Sequence, residues 1–390
     1  MRVLLATPYL HPEGGGLERY AATVTSTLAR DGHDVTLVGH TASPLDEVGA
    51  DGVRRVGVRP SVKLSNTPLS PAFLRAVRRL VRESRPDVVN GHAPVPGAAE
   101  MAWWVARRER VPFALTYHAG ALLAGHPALA LPARAHRATV ERAMIASADA
   151  RIAVSDYVAR EVFAGRPHAL APPGVDVARF TPGGAPEPGR VLYVGPVSRA
   201  YAWKGLATLA DAMDIVRERV PDARLRAVGD GDLAGRYRAR GVEVVGRVDD
   251  ARLVEEYRAA SVVALPSLTP AESFGMALAE ANACGRPVVG SRVGGIPCFV
   301  RHGENGLLAE PGDAASLAAR LAKLLSDEAL AARMGATGRA LVEREHRWED
   351  VAARCLTAFQ EAVARRSGLP SAARPSGAGP RASGRRPARP

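Results

Sequence analysis

The sequence predicts an α/β protein built from two domains, each with a mostly parallel sheet. Short aliphatic runs alternate with segments of helical periodicity along most of the chain, which is the pattern of repeated βαβ units. The alternation breaks once, in a Pro- and Gly-rich stretch at 172–190, and then restarts, as expected at a domain boundary. The 390 residues are enough for two hydrophobic cores. We therefore assign 1–185 to a first domain, 186–365 to a second, and 366–390 to a tail.

The first domain opens with a strand and continues as strand–helix pairs. Strands are predicted at 3–6, 35–38, 88–90, 113–116 and 152–154. Helices are predicted at 17–30, 73–82 and 98–108, and a long helical stretch begins near residue 135. We interpret the segments 40–48, 59–68 and 120–133 as loops. Hydrophobic residues make up 47% of the chain and aromatic residues only 5%, so aliphatic side chains build the interior, as in parallel sheets covered on both faces.

The second domain repeats this alternation. Strands are predicted at 191–194, 225–228, 242–245, 262–265, 288–289 and 307–308, with helices at 206–219, 253–260, 277–284 and 317–325. A last helix at 348–364 is amphipathic, with Val351, Cys355, Phe359 and Val363 on one face, so it must pack on something. Ligands of open parallel sheets bind beyond the carboxyl ends of the strands, and in a two-domain arrangement those ends can meet in a cleft.

The charge of the chain is unevenly distributed. The net charge is +12, and half of it comes from the tail, which carries six arginines and no acid. Because the tail is also rich in Pro, Ser, Gly and Ala, we expect it to be disordered. Its expected role is solubility, with weak contact to anions as the alternative.

Cysteine usage and hydropathy indicate the compartment of the protein and its relation to membranes. Cys284, Cys298 and Cys355 are widely spaced, which predicts neither a disulfide framework nor a metal cluster and suits reduced packing residues in a cytosolic protein. No stretch approaches the ~20 apolar residues of a membrane span. The sequence therefore predicts a soluble or peripheral protein.

Two carboxylates flank a Phe-Gly step directly after the predicted strand 262–265: Glu272 and Glu280. A helix that opens near Gly275 would offer unpaired N–H groups and partial positive charge to an anion. At helical rise the two acids would lie about 12 Å apart, and a carboxylate accepts hydrogen bonds from vicinal sugar hydroxyls. One acid for each sugar, with phosphate-facing amides between them, matches a nucleotide-sugar.

The simpler interpretation is that Glu280 is an ordinary solvated residue. Its neighbours argue against that, because Met276, Ala277, Ala279, Ala281 and Ala283 are small or apolar and most of this helix therefore looks buried. Charged residues are seldom buried without a partner. On the residues alone the two interpretations are evenly balanced.

The same segment resembles a known family. The Glu272–Glu280 spacing, followed by Ala283–Cys284–Gly285–Arg286–Pro287 and Gly294–Gly295–Ile296–Pro297, resembles the signature of family 4 retaining glycosyltransferases of the GT-B fold. The resemblance covers nearly everything from residue 3 to about 364. It implies two Rossmann-like domains facing across a cleft, with the last helix crossing back to brace the first domain. It also implies transfer of a hexosyl group from a UDP- or GDP-sugar to a hydroxyl acceptor.

A glycine-rich loop follows the first strand, at 14–16. Such a loop lets the backbone approach a phosphate closely, although a plain flexible loop is the alternative. It is not GxGxxG, and the second strand ends at Gly39–His40 without the acid expected for a dinucleotide ribose, which disfavours a dehydrogenase. The family uses a similar loop at the donor diphosphate and the acceptor, which implies donor binding by Gly15 and Gly16.

Two cations follow the first strand of the second domain. Arg199 and Lys204 come shortly after Gly195, and there they would neutralise a diphosphate and the charge that develops on it. Solvated surface charges are the alternative interpretation. The family has an Arg/Lys pair here, but its common Gly-Arg step is Gly195–Pro196 in this chain, so the arginine role shifts to Arg199.

Further site residues follow from the resemblance. It implies that His118, at the end of a first-domain strand, contacts the transferred sugar, whereas on the residues alone a packing or surface histidine is the usual outcome. It assigns sugar hydroxyls to Glu272 and the ribose to Glu280. It also implies donor contacts from Gly195 and Ser273, from the backbone of Phe274 and Gly275, and from the loop of Arg247 and Val248, whose backbone meets the base.

The implied chemistry is retaining transfer through an oxocarbenium-like transition state, with front-face attack and the leaving phosphate taking the acceptor proton. No carboxylate is clearly placed as a covalent nucleophile. Lys204, Arg199 and helix N-termini would replace a divalent metal, although Asp230–Gly231–Asp232 superficially offers a metal-binding triplet. We expect no cofactor other than the nucleotide-sugar itself.

Two other function classes stay open. One is a GT-B enzyme of another reaction, such as a phosphorylase or a sugar-nucleotide epimerase. The other is a basic protein that binds nucleic acid or an anionic surface, which the high pI suggests but the lack of interleaved aromatics disfavours; we expect no nucleic-acid partner. Donor sugar, nucleoside and acceptor stay open as well, with the acceptor surface expected mainly in the first-domain loops.

One helical segment bears on whether the protein contacts a membrane. Residues 70–82 place Phe73, Leu74, Val77, Leu80 and Val81 between Arg75, Arg78, Arg79 and Arg82. Such a helix can lie on an anionic membrane, or it can pack on the core with a solvated basic face, which we favour. We expect a cytoplasmic enzyme, with peripheral contact at the inner face of the membrane as the alternative.

Overall fold

Two separate sheets organise the chain in the computed structural model, which describes residues 1–64, 67–119 and 127–368. The first sheet has eight strands and the second has six, and a two-stranded hairpin lies outside both. The two-domain α/β architecture expected from the alternating pattern is confirmed. The predicted disorder of the tail beyond residue 368 falls outside the described residues.

The first sheet is parallel except at one edge. Its strands are β1 (Arg2–Tyr9), β2 (Asp34–His40), β3 (Leu45–Val48), β4 (Arg54–Val58), β7 (Val88–Ala93), β8 (Phe113–Tyr117), β9 (Ala150–Ala153) and β10 (Ala169–Leu170), and the separate hairpin is β5 (Val62–Leu64) with β6 (Thr67–Leu69). The order across the sheet is β10-β9-β8-β7-β1-β2-β4-β3, and only β3 runs antiparallel to its neighbour. The strand order therefore reverses direction between β1 and β7.

Helices cover this sheet. They are α1 (Gly16–Arg30), α2 (Pro71–Ser84), α3 (Ala98–Arg108), α4 (Pro127–His136), α5 (Arg142–Ser147) and α6 (Asp156–Val158), with π-helical turns at Arg137–Glu141 and Ala159–Phe163. The segments 40–48 and 59–68, which the sequence suggested were loops, contain strands or parts of strands instead. The third such segment, 120–133, is helical from Pro127 onward, and 120–126 lie outside the described residues.

The second sheet is parallel throughout. Its strands are β11 (Arg190–Val194), β12 (Arg224–Val228), β13 (Glu243–Gly246), β14 (Val262–Leu265), β15 (Val288–Ser291) and β16 (Gly306–Ala309). They lie in the order β13-β12-β11-β14-β15-β16, which is the 3-2-1-4-5-6 order of a Rossmann sheet. The order reverses between β11 and β14, so the crevice at which such sheets bind ligands opens at the ends of those two strands.

Eight α-helices follow in the described part of the second half. They are α7 (Leu206–Arg217), α8 (Ala234–Ala239), α9 (Asp250–Ala259), α10 (Met276–Ala283), α11 (Ile296–Phe299), α12 (Ala314–Ser326), α13 (Glu328–Glu345) and α14 (Trp348–Arg366), and a 3₁₀ segment spans Arg199–Lys204. The sequence analysis assigned no helix to the segment that forms α13. It also counted Arg366 in the tail, but Arg366 ends α14 and donates to Asp149 at 3.2 Å.

Each sheet has its own hydrophobic core, and the chain passes between the cores twice. One cluster runs from Val3 to Ala171 and includes α14 residues up to Ala362, and the other runs from Val175 to Val342. Val175 and Phe180 thus pack with the second core, although the sequence analysis placed the boundary at 185. The last helix braces the first domain, as the family resemblance implied.

The arginine-rich helix α2 packs its apolar face inward. Phe73, Val77 and Leu80 are fully buried, so they are not available to a lipid surface. On the basic face, Arg78 and Arg82 both pair with Glu109. The favoured interpretation of this segment, a core helix with a solvated basic face, agrees with this burial.

Candidate active site

The two strands at the reversal of the second sheet bring a lysine and a glutamate together. Lys204 follows β11 and Glu272 follows β14, and these strands are neighbours although the residues are far apart in sequence. The Lys204 Nζ donates to Glu272 Oε2 at 2.7 Å. Both side chains are mostly shielded, with 19% and 12% of their surface exposed. Two residues singled out from the sequence are therefore partners.

A close backbone approach positions Lys204. Gly205 has a φ of +77°, and a Cβ at this position would lie 1.9 Å from the Pro266 carbonyl oxygen, so only glycine fits. The Leu268 amide donates to the Trp203 carbonyl at 2.7 Å, which joins the loop after β14 to the 3₁₀ segment. The ammonium group also lies 4.7 Å from the centre of the Trp203 ring, within cation–π range.

The Glu272 loop is held from both sides. Glu272 Oε1 accepts from the Gly275 amide at 3.2 Å, and the Glu272 carbonyl accepts from the Gly295 amide at 2.8 Å. Within the described residues, the amides of Ser273 and Phe274 donate to no protein group. Phe274 itself is buried against Phe299 and His346. A ligand at the start of α10 would therefore meet two open amides beside a fixed carboxylate.

Glu280 lies buried under a cation from the other domain. Only 4% of the residue is exposed. Its Oε1 accepts from Arg19 Nη1 of α1 at 3.1 Å, and its Oε2 accepts from the Tyr257 hydroxyl at 2.8 Å. Burial raises the pKa of Glu280, and Arg19 and the Tyr257 hydrogen bond act against that rise. Each carboxylate oxygen can accept two hydrogen bonds, so one site on each oxygen remains for a ligand.

The glycine-rich loop of the first domain contains a carboxylate of its own. The Gly15 amide donates at 2.7 Å to Oε2 of Glu18, which lies in the first turn of α1. Burial raises the pKa of Glu18, against which the backbone hydrogen bonds act. The Gly15 amide, which the sequence analysis assigned to the donor, is thus already paired. The space beside Gly15 and Gly16 is open, because a Cβ added at either position would meet no other part of the protein within 4 Å.

His118 directly follows β8 and belongs to a buried polar row. Its Nε2 lies 2.8 Å from His92 Nδ1, and His92 Nε2 lies 2.7 Å from Asn90 Oδ1. His92 and Asn90 belong to the neighbouring strand β7. Burial, with His92 beside it, lowers the pKa of His118 well below its usual value. The Tyr20 ring packs edge-on against His118, with ring centres 4.8 Å apart.

The remaining residues singled out from the sequence form no hydrogen bond or ion pair with Lys204 or Glu272 among the described residues. The Arg199 side chain is 83% exposed and faces Asp232 at 3.7 Å. The Gly195 amide donates to the Val228 carbonyl at 2.9 Å. Arg247 is exposed and Val248 is half-buried. In the triplet after β12, Asp230 and Asp232 accept from the amides of Gly231 and Arg199.

Several residues at the site were given no role in the prediction from the sequence. They are Arg19, Tyr257, Glu18, Asn90 and His92. Arg19 meets Glu280 across the domain boundary, and Tyr257 meets it from α9, so only the assembled fold shows either contact. His92 could have been found from its place at the end of a predicted strand, next to the strand that ends at His118.

Comparisons with known proteins agree with the two-domain fold. The model of a family described as Glycosyltransferase Family 4 matches residues 14–179. A second model, described as Glycosyl transferases group 1, matches residues 188–327. The two matches fall on the first and second sheets and end before α13 and α14.

Two curated relatives and one solved structure are similar over nearly the whole chain. A D-inositol 3-phosphate glycosyltransferase of Xylanimonas cellulosilytica is 30% identical over 91% of this chain and 93% of its own. A phosphatidyl-myo-inositol mannosyltransferase of Mycobacterium tuberculosis is 31% identical over 92% of this chain and 97% of its own. The structure of sucrose-phosphate synthase from Thermosynechococcus elongatus is 26% identical, with a TM-score of 0.75 over 94% of this chain and 100% of that one.

Proposed function

The chain belongs to glycosyltransferase family 4 and has the GT-B fold, and from that premise we propose that it transfers a hexosyl group from a UDP- or GDP-sugar to a hydroxyl acceptor with retention of configuration. The observation that carries the proposal is the Lys204–Glu272 contact at 2.7 Å, at the ends of the two strands where the second sheet reverses. A cation and a sugar-binding carboxylate side by side fit the junction between a diphosphate and its sugar.

In this proposal each charged group has one task. Lys204 stabilises the negative charge that develops on the departing diphosphate. Arg199 swings from Asp232 to add a second cation. Glu272 accepts hydrogen bonds from hydroxyls of the sugar, and the open amides of Ser273 and Phe274 face the phosphates. These cations take the place of a divalent metal.

The proposed donor then extends along α10. Glu280 keeps Tyr257 and Arg19 and accepts the ribose hydroxyls at its two remaining acceptor positions. Gly195, Arg247, Val248 and Gly275 line the nucleotide side, and Gly15, Gly16 and His118 approach from the first domain. The acceptor hydroxyl attacks the anomeric carbon from the face that the diphosphate leaves. Its proton passes to the departing phosphate oxygen, so no further base is needed.

The proposed acceptor is a phosphorylated polyol. The two curated relatives are named for inositol 3-phosphate and for phosphatidyl-myo-inositol, and both of these carry a phosphate on an inositol ring. We therefore include a water-soluble inositol phosphate and phosphatidylinositol in vesicles among the acceptors to be tested.

The first experiment is a thermal-shift panel of UDP-, GDP-, ADP- and TDP-sugars without acceptor. A donor that binds the folded state raises the unfolding temperature by mass action. We expect one nucleotide class to stabilise the protein, and we expect Glu280→Gln to weaken that shift. The matched control is Glu310→Gln on the surface of the second domain. No shift with any donor, followed by no sugar transfer when acceptors are added, would refute the proposal.

Product analysis distinguishes the other GT-B reactions. A glycosyltransferase forms nucleoside diphosphate and glycoside in equal amounts. Sugar phosphate would instead indicate a phosphorylase, and an isomerised nucleotide-sugar would indicate an epimerase. We expect EDTA to leave the rate unchanged, because Lys204 and Arg199 supply the positive charge, and a rate restored only by Mg²⁺ would contradict the metal-independent mechanism.

We propose a cytoplasmic location with, at most, electrostatic contact to an anionic membrane. The three cysteines are free, in keeping with a reducing compartment. None of the helices in the described ranges is long and apolar enough to cross a bilayer. Because the apolar face of α2 is buried in the core, any vesicle binding should come from its arginines. Binding to anionic vesicles should then disappear as salt is raised, and salt-resistant binding would argue for insertion.

A further inference from the structure

Three buried polar side chains form a hydrogen-bonded row across the ends of β7 and β8. Asn90 Oδ1 lies 2.7 Å from His92 Nε2, and His92 Nδ1 lies 2.8 Å from His118 Nε2. All three residues are buried, with His118 the most accessible at 8%. Because each nitrogen of a neutral imidazole either donates or accepts, the direction of one bond in the row determines the direction of the next.

The main-chain carbonyl of Ala114 sets the direction of hydrogen bonding at the Asn90 end of the row. The Asn90 Nδ2 lies 3.0 Å from the Ala114 carbonyl oxygen. A carbonyl oxygen can only accept, so the amide nitrogen of Asn90 must face it and the amide oxygen must face His92. That oxygen can also only accept. His92 therefore carries its proton on Nε2.

The protonation of His92 determines which atom donates in its hydrogen bond with His118. Burial lowers the pKa of His92 to about 3, so its ring is neutral at pH 7 and its Nδ1 has no proton. That Nδ1 must accept, and His118 must donate to it from Nε2. The pKa of His118 is lowered as well, by burial and by His92, so His118 is neutral and its Nδ1 is an acceptor. None of the described residues forms a hydrogen bond with this Nδ1.

We propose that Asn90 and His92 are positioning residues that hold His118 in its Nε2–H tautomer, so that its Nδ1 accepts a hydrogen bond from a hydroxyl of the transferred sugar. The inference rests on the proposed function, which places His118 beside that sugar. The Tyr20 ring, edge-on against His118, keeps the imidazole plane fixed. A nitrogen that can only accept favours a hydroxyl and disfavours fluorine at the same sugar position, because fluorine has no proton to donate.

The tautomer can be measured without any substrate. In the full chain labelled with ¹⁵N-histidine, long-range ¹H–¹⁵N spectra show which ring nitrogen carries the proton. His118→Gln and His92→Gln assign the two sets of signals. We expect both rings to be neutral and protonated on Nε2 at pH 7. A proton on Nδ1 of His118 would overturn the inference whether or not the protein transfers sugar.

A pair of variants tests the positioning role. His92→Phe keeps a ring of similar shape but removes the acceptor for His118. Thr116→Val is the matched control, because it removes a buried hydroxyl that bonds to Asn90 while leaving the Ala114 carbonyl in place. We expect His92→Phe to abolish the preference for Nε2–H and to lower kcat/KM about tenfold, the value of one hydrogen bond. We expect Thr116→Val to leave both the tautomer and kcat/KM unchanged.

The assay uses UDP-glucose and GDP-mannose as donor probes. Equal losses of kcat/KM in His92→Phe and Thr116→Val would show a merely structural role and would overturn the inference. If His92→Phe does not fold, the spectrum of the unaltered protein still decides the tautomer. If neither probe is bound or turned over, the proposed function fails for these donors, and a His118 protonated on Nε2 still confirms the tautomer that the row of hydrogen bonds predicts.

Discussion

Lys204 has a geometry that fits catalysis better than stability. Its ammonium group meets Glu272 at a partly open site, and Glu272 keeps a second hydrogen bond from the Gly275 amide. We expect Lys204→Met to lower kcat by about 10²–10³, the range for loss of one group that stabilises transition-state charge. The unfolding temperature should change little, and kcat is measured at saturating donor.

The control for this variant is Lys323→Met, which removes an exposed lysine from α12. It should leave turnover unchanged. Full turnover in Lys204→Met would remove Lys204 from the proposed mechanism, and a large loss of thermal stability would indicate that the ion pair mainly supports the fold.

At the scale of residues, the sequence singled out individual charged groups but did not show with which groups they pair. Glu272 and Lys204 could be singled out because each follows a predicted strand and resembles a family position. Their contact depends on β11 and β14 being neighbours, which the strand order decides. Arg19 lies on another domain from Glu280, so nothing local in the sequence indicates that Glu280 has a cationic partner.

Buried histidines make the stability of the fold depend on pH. Burial lowers the pKa of His92 to about 3 and of His346 to about 4, and it lowers the pKa of His118 well below its usual value. The unfolded chain takes up these protons near pH 6.5 and the folded chain does not. Stability should therefore fall as the pH drops below 6.5, by about 1.4 kcal/mol per pH unit for each such histidine.

Urea unfolding at pH 7.5, 6.5 and 5.5 measures this slope. Burial raises the pKa of Glu280, which acts in the opposite direction, so the contribution of a histidine is taken from the difference between the slopes of the unaltered protein and of a variant. His346→Leu should reduce the slope of unfolding free energy against pH by the contribution of one histidine. Replacement of the exposed His168 should leave this slope unchanged. A slope unchanged by His346→Leu would contradict the buried, neutral state of that ring.

At the scale of elements, the Glu272 loop depends on a second close approach. A Cβ on Gly295 would lie 1.8 Å from the Ser273 carbonyl oxygen, although its φ of −88° is ordinary. We expect Gly295→Ala to push this loop away and to destabilise the protein by about 1–3 kcal/mol, as overpacking does. Donor-induced thermal shifts should also disappear, because Glu272 and the open amides move with the loop.

Gly235→Ala is the control for that prediction. Gly235 lies in α8 and has nothing within 4 Å of where a Cβ would stand, so alanine should be neutral or slightly stabilising in a helix. Normal donor binding by Gly295→Ala would show that the loop adapts and that its position is not decisive for the site.

Elements with strong aliphatic periodicity were predictable and those shaped by close packing were not. The central strands of both sheets were found because buried parallel strands are aliphatic runs. Strand β3 escaped because it is exposed and charged at the sheet edge. Strand β4 escaped because its five residues include two arginines and a glycine, which interrupt the aliphatic run. Helix α13 contains Gly335, whose missing Cβ would lie 2.0 Å from the Gly285 carbonyl oxygen. Its glycines allow close packing but weaken its helical signal.

At the scale of the whole molecule, the last helix unites the two domains. The chain leaves the first core near Ala171 and returns before Trp348, and the two crossings are joined where the Val175 amide donates to the His346 carbonyl at 2.8 Å. Trp348 then packs against Tyr20, with ring centres 5.6 Å apart. In the proposed function the donor binds the second domain and the acceptor binds the first, on either side of this double crossing.

The integrity of the first domain should depend on the end of the chain. Phe359 in α14 is fully buried in the first core, and truncation of such a side chain costs about 3–5 kcal/mol. We expect Phe359→Ala to unfold the first domain at lower urea while the second domain unfolds as before, since its core does not include α14.

Gln360→Ala, on the exposed face of the same helix, should change nothing. Tryptophan fluorescence reports on both halves, with Trp103, Trp104 and Trp348 in the first domain and Trp203 in the second. A single transition shifted as a whole would instead show that the double crossing couples the two domains into one cooperative unit, and an unshifted transition would contradict the packing of α14 on the first core.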